Sequence, residues 1–315
     1  VEAYSSWTTA ASGYTMEALG PDYLSEGLYY RASGEDPWKS EIPQTFTTLY
    51  VKTAGDNTVM TAEQMKAVAD AVKALAAPAT VDFSEVVYES ETFPNSFKSN
   101  ANLAGIVFPQ NVTKTASAAF QKTGMTSVTL LKGISYGSNA FDSCASLVSV
   151  TVEEGVTEIG NYMFQNTKLT DVTLPNSVTK IGASAFNGCS LTTINFGQGV
   201  KTIENSAFQN CGELTEIILP DATETLGQNA FGDCPKLAKI SLGKNMKTLE
   251  AYCFVGYSKG CPLLGDIICR ATTPPTLKDD YGTGPFGGGW SPVAGKDVPA
   301  ENRIIHLPKS ADLVG

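Results

Sequence analysis

The stretch LTDVTLPNSVTKIGASAFNGC, residues Leu169–Cys189, strings three apolar phrases in a fixed order: L-x-x-V-x-L, then V-x-x-I-G, then A-F-x-x-C. The same order returns on both sides of it. Its phenylalanine marks the beat at Phe97, Phe120, Phe141, Phe164, Phe186, Phe208, Phe231 and Phe254, with spacings of 23, 21, 23, 22, 22, 23 and 23. A period in this range predicts a solenoid, in which each repeat buries its apolar side against its neighbours. Such a chain chiefly builds a long surface, which argues against a conventional enzyme.

Within each repeat the first phrase reads as a short strand. Its apolar positions are Leu103/Ile106/Phe108, Met125/Val128/Leu130, Leu147/Val150/Val152, Leu169/Val172/Leu174, Leu191/Ile194/Phe196, Leu214/Ile217/Leu219, Leu237/Ile240/Leu242 and Leu264/Ile267/Cys269. Pro78, Val81 and Phe83 form a worn first rung. A second apolar register follows four residues later, at Val112, Ile134, Val156, Val178, Val200 and Met246. Three residues further on stand Ile159, Ile181, Ile203, Leu226 and Leu249. This spacing lets two narrow runs of backbone turn around one apolar centre. Gly160, Gly182 and Gly227 fit a bend at which a side chain would clash.

Outside the period the chain changes character. Residues 1–45 form an irregular segment, or the end of a preceding module, with prolines, glycines and aromatics but no repeat. Residues 46–96 read as an N-terminal cap that contains the worn repeat. There Phe46–Lys52 alternates as a strand should, and Thr61-Ala-Glu-Gln64 fits a capping box. The box opens a helix of about 62–76 with Met65, Val68, Ala69, Val72, Leu75 and Ala76 on one stripe. Its polar face has no basic bias, so the helix reads as a cover for the apolar end of the repeats rather than a membrane surface. Residues 97–270 carry the repeats. Past Arg270 the period stops, and 271–315 read as a C-terminal cap: a proline-stiffened ATTPPTL, a glycine-rich loop around Phe286 and Trp290, and a last strand at Arg303–Pro308. Phe286 and Trp290 form an alternative binding lip, unless Phe286 replaces the missing repeat phenylalanine.

Cys144, Cys189, Cys211 and Cys234 stand three residues after a repeat phenylalanine and read as small buried core thiols. Their spacing of about 22 residues does not resemble the close pairs of a zinc site. Asn166 takes the cysteine place after Phe164, and Thr223 replaces a valine. Cys253, Cys261 and Cys269 break phase with this ladder, and a disulfide among them is conceivable if the protein is exported.

The phrase L-x-x-I-x-L-P-x-x-V-x-x-I-G-x-x-A-F-x-x-C resembles the BspA-like class of leucine-rich repeats, with Leu169–Cys189 matching at nearly every defined place. The segment TLYVK…MTAEQMKAVADAV…TVDFS resembles the region that often precedes such repeats, and ATTPPTL with IIHLPKSAD the region that follows. The resemblance covers roughly 46–312. It implies a leucine-rich-repeat solenoid, mostly β with short irregular or 3-10 segments, headed by a helical cap. It also implies an exported protein of a bacterial cell surface, any signal or lipid anchor lying outside this sequence, with a protein or glycan partner, host extracellular ones included. Fold alone does not give function.

The chain of 315 residues is 42% hydrophobic and 17% charged, with a formal net charge of −10. It has no basic patch of the kind nucleic-acid binders carry, and no run near the roughly 18 apolar residues of a membrane span. One histidine, His306, stands without an obvious acid or nucleophile partner. No nucleophile elbow, zinc-protease signature, P-loop or dinucleotide fingerprint occurs. Adjacent acids such as Glu153-Glu154 and Asp279-Asp280 are not set across a cleft as a hydrolase pair must be, and one such pair is weak support for a calcium site. The expectation is no catalysis, no cofactor and no metal.

What remains is the outward side of the strands. Alternation turns out Ser127, Thr129, Ser149, Thr151, Asp171, Thr173, Thr193, Asn195, Glu216 and Lys239. The row is either a solvated surface, since threonine suits strands in any case, or a shallow polar groove for a protein or glycan. It has no Trp, Tyr or Arg anchor of the sort interfaces favour. A spacer that holds other domains off the envelope is the second reading, and a hydrolase the third.

Overall fold

A computed structural model describes residues 28–32, 36–37, 39, 46–53, 59–254, 260–264, 266–271, 273–278 and 304–306. The readings placed on residues 1–27, on Asp279-Asp280, on the glycine-rich loop and on Phe286 and Trp290 lie outside these. The chain divides into two units, 1–125 and 126–315.

In the first unit a four-stranded sheet runs in the order β1 (Leu28–Arg31), β2 (Thr48–Thr53), β3 (Ala79–Glu85), β5 (Leu103–Val107), while β4 (Thr92–Phe93) pairs with β6 (Lys114–Thr115). β1 is antiparallel to β2, and β2, β3 and β5 are parallel. The parallel step from β2 to β3 needs a crossover, and helix α1 (Ala62–Lys73) supplies it. The capping box is formed as expected: the Gln64 amide donates to Thr61 Oγ1 at 3.3 Å, and Thr61 N–H donates to Gln64 Oε1 at 2.9 Å. Met65, Val68, Ala69 and Val72 are buried. The helix stops at Lys73, short of 76. Asn102 Nδ2 donates to the Lys73 and Leu75 carbonyls at 3.0 and 2.7 Å, satisfying the orphan acceptors of the helix end. Leu75 and Ala76 accordingly fall off the buried stripe. The worn rung is also shifted. Ala79, not Pro78, stands opposite Leu103, because a register shift at Ala79/Thr80 restores Val81 to Ile106.

In the second unit the repeats contribute strands to one face, and six of them a two-residue strand to another. The first set is β7 (Ser127–Leu130), β8 (Ser149–Val152), β10 (Asp171–Thr173), β12 (Thr193–Asn195), β14 (Glu216–Ile218), β16 (Lys239–Leu242), β18 (Asp266–Cys269) and β20 (Ile304–His306). The second is β9 (Glu158–Ile159), β11 (Lys180–Ile181), β13 (Thr202–Ile203), β15 (Thr225–Leu226), β17 (Thr248–Leu249) and β19 (Thr276–Leu277). The second set forms one parallel six-stranded sheet in sequence order. The first pairs in parallel as β7-β8, β10-β12 and β14-β16-β18-β20. The fold is a leucine-rich-repeat solenoid.

The segment around each phenylalanine forms a third hydrogen-bonded run that sequence reading did not foresee. Residues two before and two after the ring take positive φ: Tyr162 (56°) and Asn166 (56°) around Phe164, Ser206 (57°) and Asn210 (62°) around Phe208. Alternating in this way, the backbone sends its N–H groups toward the next repeat. Phe141, Phe164, Phe186, Phe208 and Phe231 donate to Met163, Ala185, Ala207, Ala230 and Cys253 carbonyls at 2.8–2.9 Å. Three runs of backbone hydrogen bonds thus tie the repeats of the second unit together, as buried backbone requires.

Between those sides lie the rings. From Phe141 to Phe231 centroids step 5.6, 5.5, 5.2 and 5.1 Å with interplanar angles of 18° or less, a continuous stack. Phe97, Phe120 and Phe254 are equally buried. Beside the stack runs the thiol ladder. Cys189, Cys211 and Cys234 Sγ donate to the carbonyls of Phe164, Phe186 and Phe208, one repeat back, at 3.1, 3.3 and 3.2 Å. Cys261 does the same to Phe231 at 3.3 Å, so it belongs to the ladder; the longer connection delays it in sequence, and the backbone then returns to the same place. The position after Phe164 belongs to Thr167 rather than Asn166: its hydroxyl donates to Phe164 O at 2.9 Å and meets Cys189 Sγ. Thr223, fully buried, satisfies its hydroxyl on Val200 O at 2.9 Å. All seven cysteines are free and buried.

Candidate functional site

The ten strand-face residues all lie in the second unit. Nine are exposed and Lys239 is half-buried. They form two rows because side chains two apart in a strand share a face. Register places Ser127 beside Ser149, Asp171 beside Thr193 and Glu216 beside Lys239; the second row has Thr129 beside Thr151 and Thr173 beside Asn195. Continuing the second row, Ile218, Ser241 and Ile268 are in register. Ser241 is only 9% exposed, a short side chain sunk between two branched ones.

Of these ten, Thr193, Asn195 and Glu216 line a concavity of about 490 Å³. Ile194, Phe196, Gln198, Ile218, Leu219, Pro220, Asp221 and Arg270 complete it. Ile218 is 59% exposed at its side, while Phe196 is buried against Phe208. The structure does not bring Ser127, Thr129, Ser149 or Thr151 into this hollow; they continue the same face away from it.

Charge within the concavity is internally matched. Glu216 pairs with Lys239 at 2.8 Å, and Asp221 with Lys244 at 3.0 Å and Arg270 at 3.2 Å. The hydrogen bond from Lys244 is the chief reason the Asp221 carboxyl titrates below its usual value, with its backbone contact and the Arg270 charge adding to it. Arg270 reaches back across two repeats: Nε donates to Leu242 O at 3.1 Å and Nη2 to Leu219 O at 2.7 Å. It therefore fixes the ends of β14 and β16 as well as walling the hollow. Sequence reading passed over it because the period ends there. A signal existed, since Arg270 follows its strand where Pro175, Gly197, Pro220 and Gly243 follow theirs.

Nothing in the hollow is arranged as a nucleophile with its base. Among the described residues no group of three or more His, Cys, Asp or Glu is placed to hold a metal ion, and no helix is long and apolar enough to cross a membrane. The His306 side chain lies outside the described residues, although its backbone extends β20.

The repeat geometry agrees with a family-level comparison. The family described as BspA type leucine rich repeat region matches residues 87–136 and 134–260, in six copies, together more than half of the chain. The chain belongs to this family. No curated protein matches this BspA-type chain. Among solved structures it is similar to a leucine-rich cell surface protein from Faecalibacterium prausnitzii, at 22% identity and a TM-score of 0.43, over 61% of this chain and 60% of that one. A Bacteroides ovatus leucine-rich repeat protein aligns at 19% identity and 0.27, over 60% and 72%. The pneumococcal vaccine antigen PcpA aligns at 17% and 0.30, over 62% and 69%. The chain thus spans about three fifths of the Faecalibacterium protein's length.

Proposed function

We propose that this BspA-type chain is a non-catalytic binding module of an exported bacterial surface protein, presenting the strand face of its second unit to a protein or glycan. The observation that carries the reading is the exposed double row from Ser127 to Glu216, which runs into the concavity beside Ile218 and Arg270. Short hydroxyl and amide side chains leave the row accessible, and the one large exposed aliphatic group on it, Ile218, stands at the hollow. Surface placement follows the family resemblance of the repeat phrase and is part of the proposal.

The test is a screen of the purified chain against extracellular-matrix proteins and a glycan array, beside a variant carrying Thr151→Lys, Thr173→Lys and Asn195→Lys. A folded variant that loses the wild-type interaction supports the reading. A hit retained in the variant contradicts it, and silence across the whole screen from a folded sample favours the spacer.

A further inference from the structure

We propose that the concavity beside Ile218 recognises an uncharged, extended peptide segment carrying a branched or straight aliphatic side chain. The proposal rests on the strand-face reading and goes beyond it by naming the ligand class.

Three features of the lining decide the class. First, every charged group there is already matched: Glu216 by Lys239, Asp221 by Lys244 and Arg270, and Arg270 also by two carbonyls. A charged ligand would have to break or crowd one of these pairs, so the site selects against net charge. Second, the side chains that spend nothing on other described residues are neutral: the Thr193 hydroxyl and the Asn195 and Gln198 amides. Amides carry both donor and acceptor and so complement the alternating N–H and C=O groups of an extended backbone. Third, the exposed apolar surface is aliphatic. Ile218 is 59% exposed, whereas the lining's one aromatic ring, Phe196, is 5% exposed and packed edge-on to Phe208. The lining therefore lacks an open ring face of the kind on which a sugar stacks, and Ile218 instead offers contact to an aliphatic side chain. About 490 Å³ suits a few residues rather than a folded domain.

The experiment is selection of the full chain against a random peptide library and a neutral glycan array, followed by affinity measurement at low salt and about 0.5 M salt. Ile218→Asp and Asn195→Ala serve as site variants, and Thr202→Lys on the narrow sheet, outside the concavity, as a control. The expected result is enrichment of peptides with aliphatic residues and no net charge, about tenfold or greater loss in Ile218→Asp, and less than about a twofold change with salt. Binding of glycans instead, lost in Ile218→Asp, overturns the peptide assignment while leaving the strand-face reading intact. Enrichment of charged peptides, a steep salt dependence, indifference to Ile218→Asp, or no selected peptide at all overturns the proposal.

Discussion

A buried thiol that donates to a carbonyl is chemically quiet. Cys189 is pushed up to about 11, chiefly by burial and despite its contacts with Thr167, and burial drives Cys211 well above the usual range. Both thiols are buried, so neither offers a reachable thiolate. Thiol-specific reagents should therefore leave the native chain unmodified and label it fully after denaturation, as read by intact mass; rapid native labelling of Cys189 or Cys211 would contradict the ladder. Glycine positions give a second residue-scale expectation. A Cβ on Gly182 would come 2.5 Å from Asn161 Oδ1 and 2.8 Å from its amide nitrogen, while one on Gly160 meets chiefly the movable end of Met163 at 3.2 Å. Gly182→Ala should lower stability by about 1–3 kcal/mol and Gly160→Ala by clearly less. Equal thermal shifts would show that the bend tolerates a side chain at both. Phe208→Ala should cost about 3–5 kcal/mol, since its ring stacks on both neighbours at 5.2 and 5.1 Å; a loss under about 1 kcal/mol in chemical denaturation would mean the stack holds little.

At the scale of the element, one junction between repeats is electrostatically complementary along its length. Glu213, Glu216, Asp221 and Glu224 each meet the lysine 23 residues later, Lys236, Lys239, Lys244 and Lys247, at 2.6, 2.8, 3.0 and 2.7 Å. Hydrogen bonds from Lys244 and Lys247 are the chief reason Asp221 and Glu224 titrate below their ordinary 3.8 and 4.5. A depressed carboxyl adds stability above its unfolded value, and that contribution is lost as pH falls through the folded value. The junction should therefore loosen below about pH 4, and in high salt at neutral pH. Hydrogen-exchange protection of the Lys247 and Thr248 amides, both bonded to Glu224 O, should then fall relative to Thr179, whose amide bonds to Thr157 O. Parallel changes at both places would contradict the seam.

How far such elements were readable depended on how local they are. The capping box at Thr61 and Gln64, the strand rungs and the phenylalanine beat follow from spacing alone, because each is set by neighbours within one repeat. Cys261 was misread because an insertion displaced it in sequence while the stack returned it to phase. Thr167 was missed by one position; its hydroxyl takes the thiol's place but donates within its own repeat. Among the described residues the positive-φ positions flanking the rings are, apart from Gly188, not glycines, as Tyr162 and Ser206 show, so composition gave little sign of them. Arg270 acts on Leu219 O, 51 residues away, a separation that no local pattern encodes. Of the site, exposure of the hydroxyl row was legible from alternation; the hollow was not, since Arg270 reaches it from beyond an intervening repeat.

For the whole molecule, repetition separates the work of the two described faces of the second unit. The narrow sheet from β9 to β19 is tied by residues that must recur, and its outward side carries Glu158, Lys180 and Thr202. The broader strand face is free to vary without disturbing the stack, which is why recognition is assigned to it. The measurement that bears most directly on this assignment compares three proteins against a ligand found in the screen: the wild type, the strand-face variant with lysine at 151, 173 and 195, and a narrow-sheet variant with Glu158→Lys, Thr202→Lys and Thr225→Lys. With all three folded, the account predicts that only the strand-face variant loses binding, by about tenfold or more. Loss confined to the narrow-sheet variant, or in neither, would contradict it.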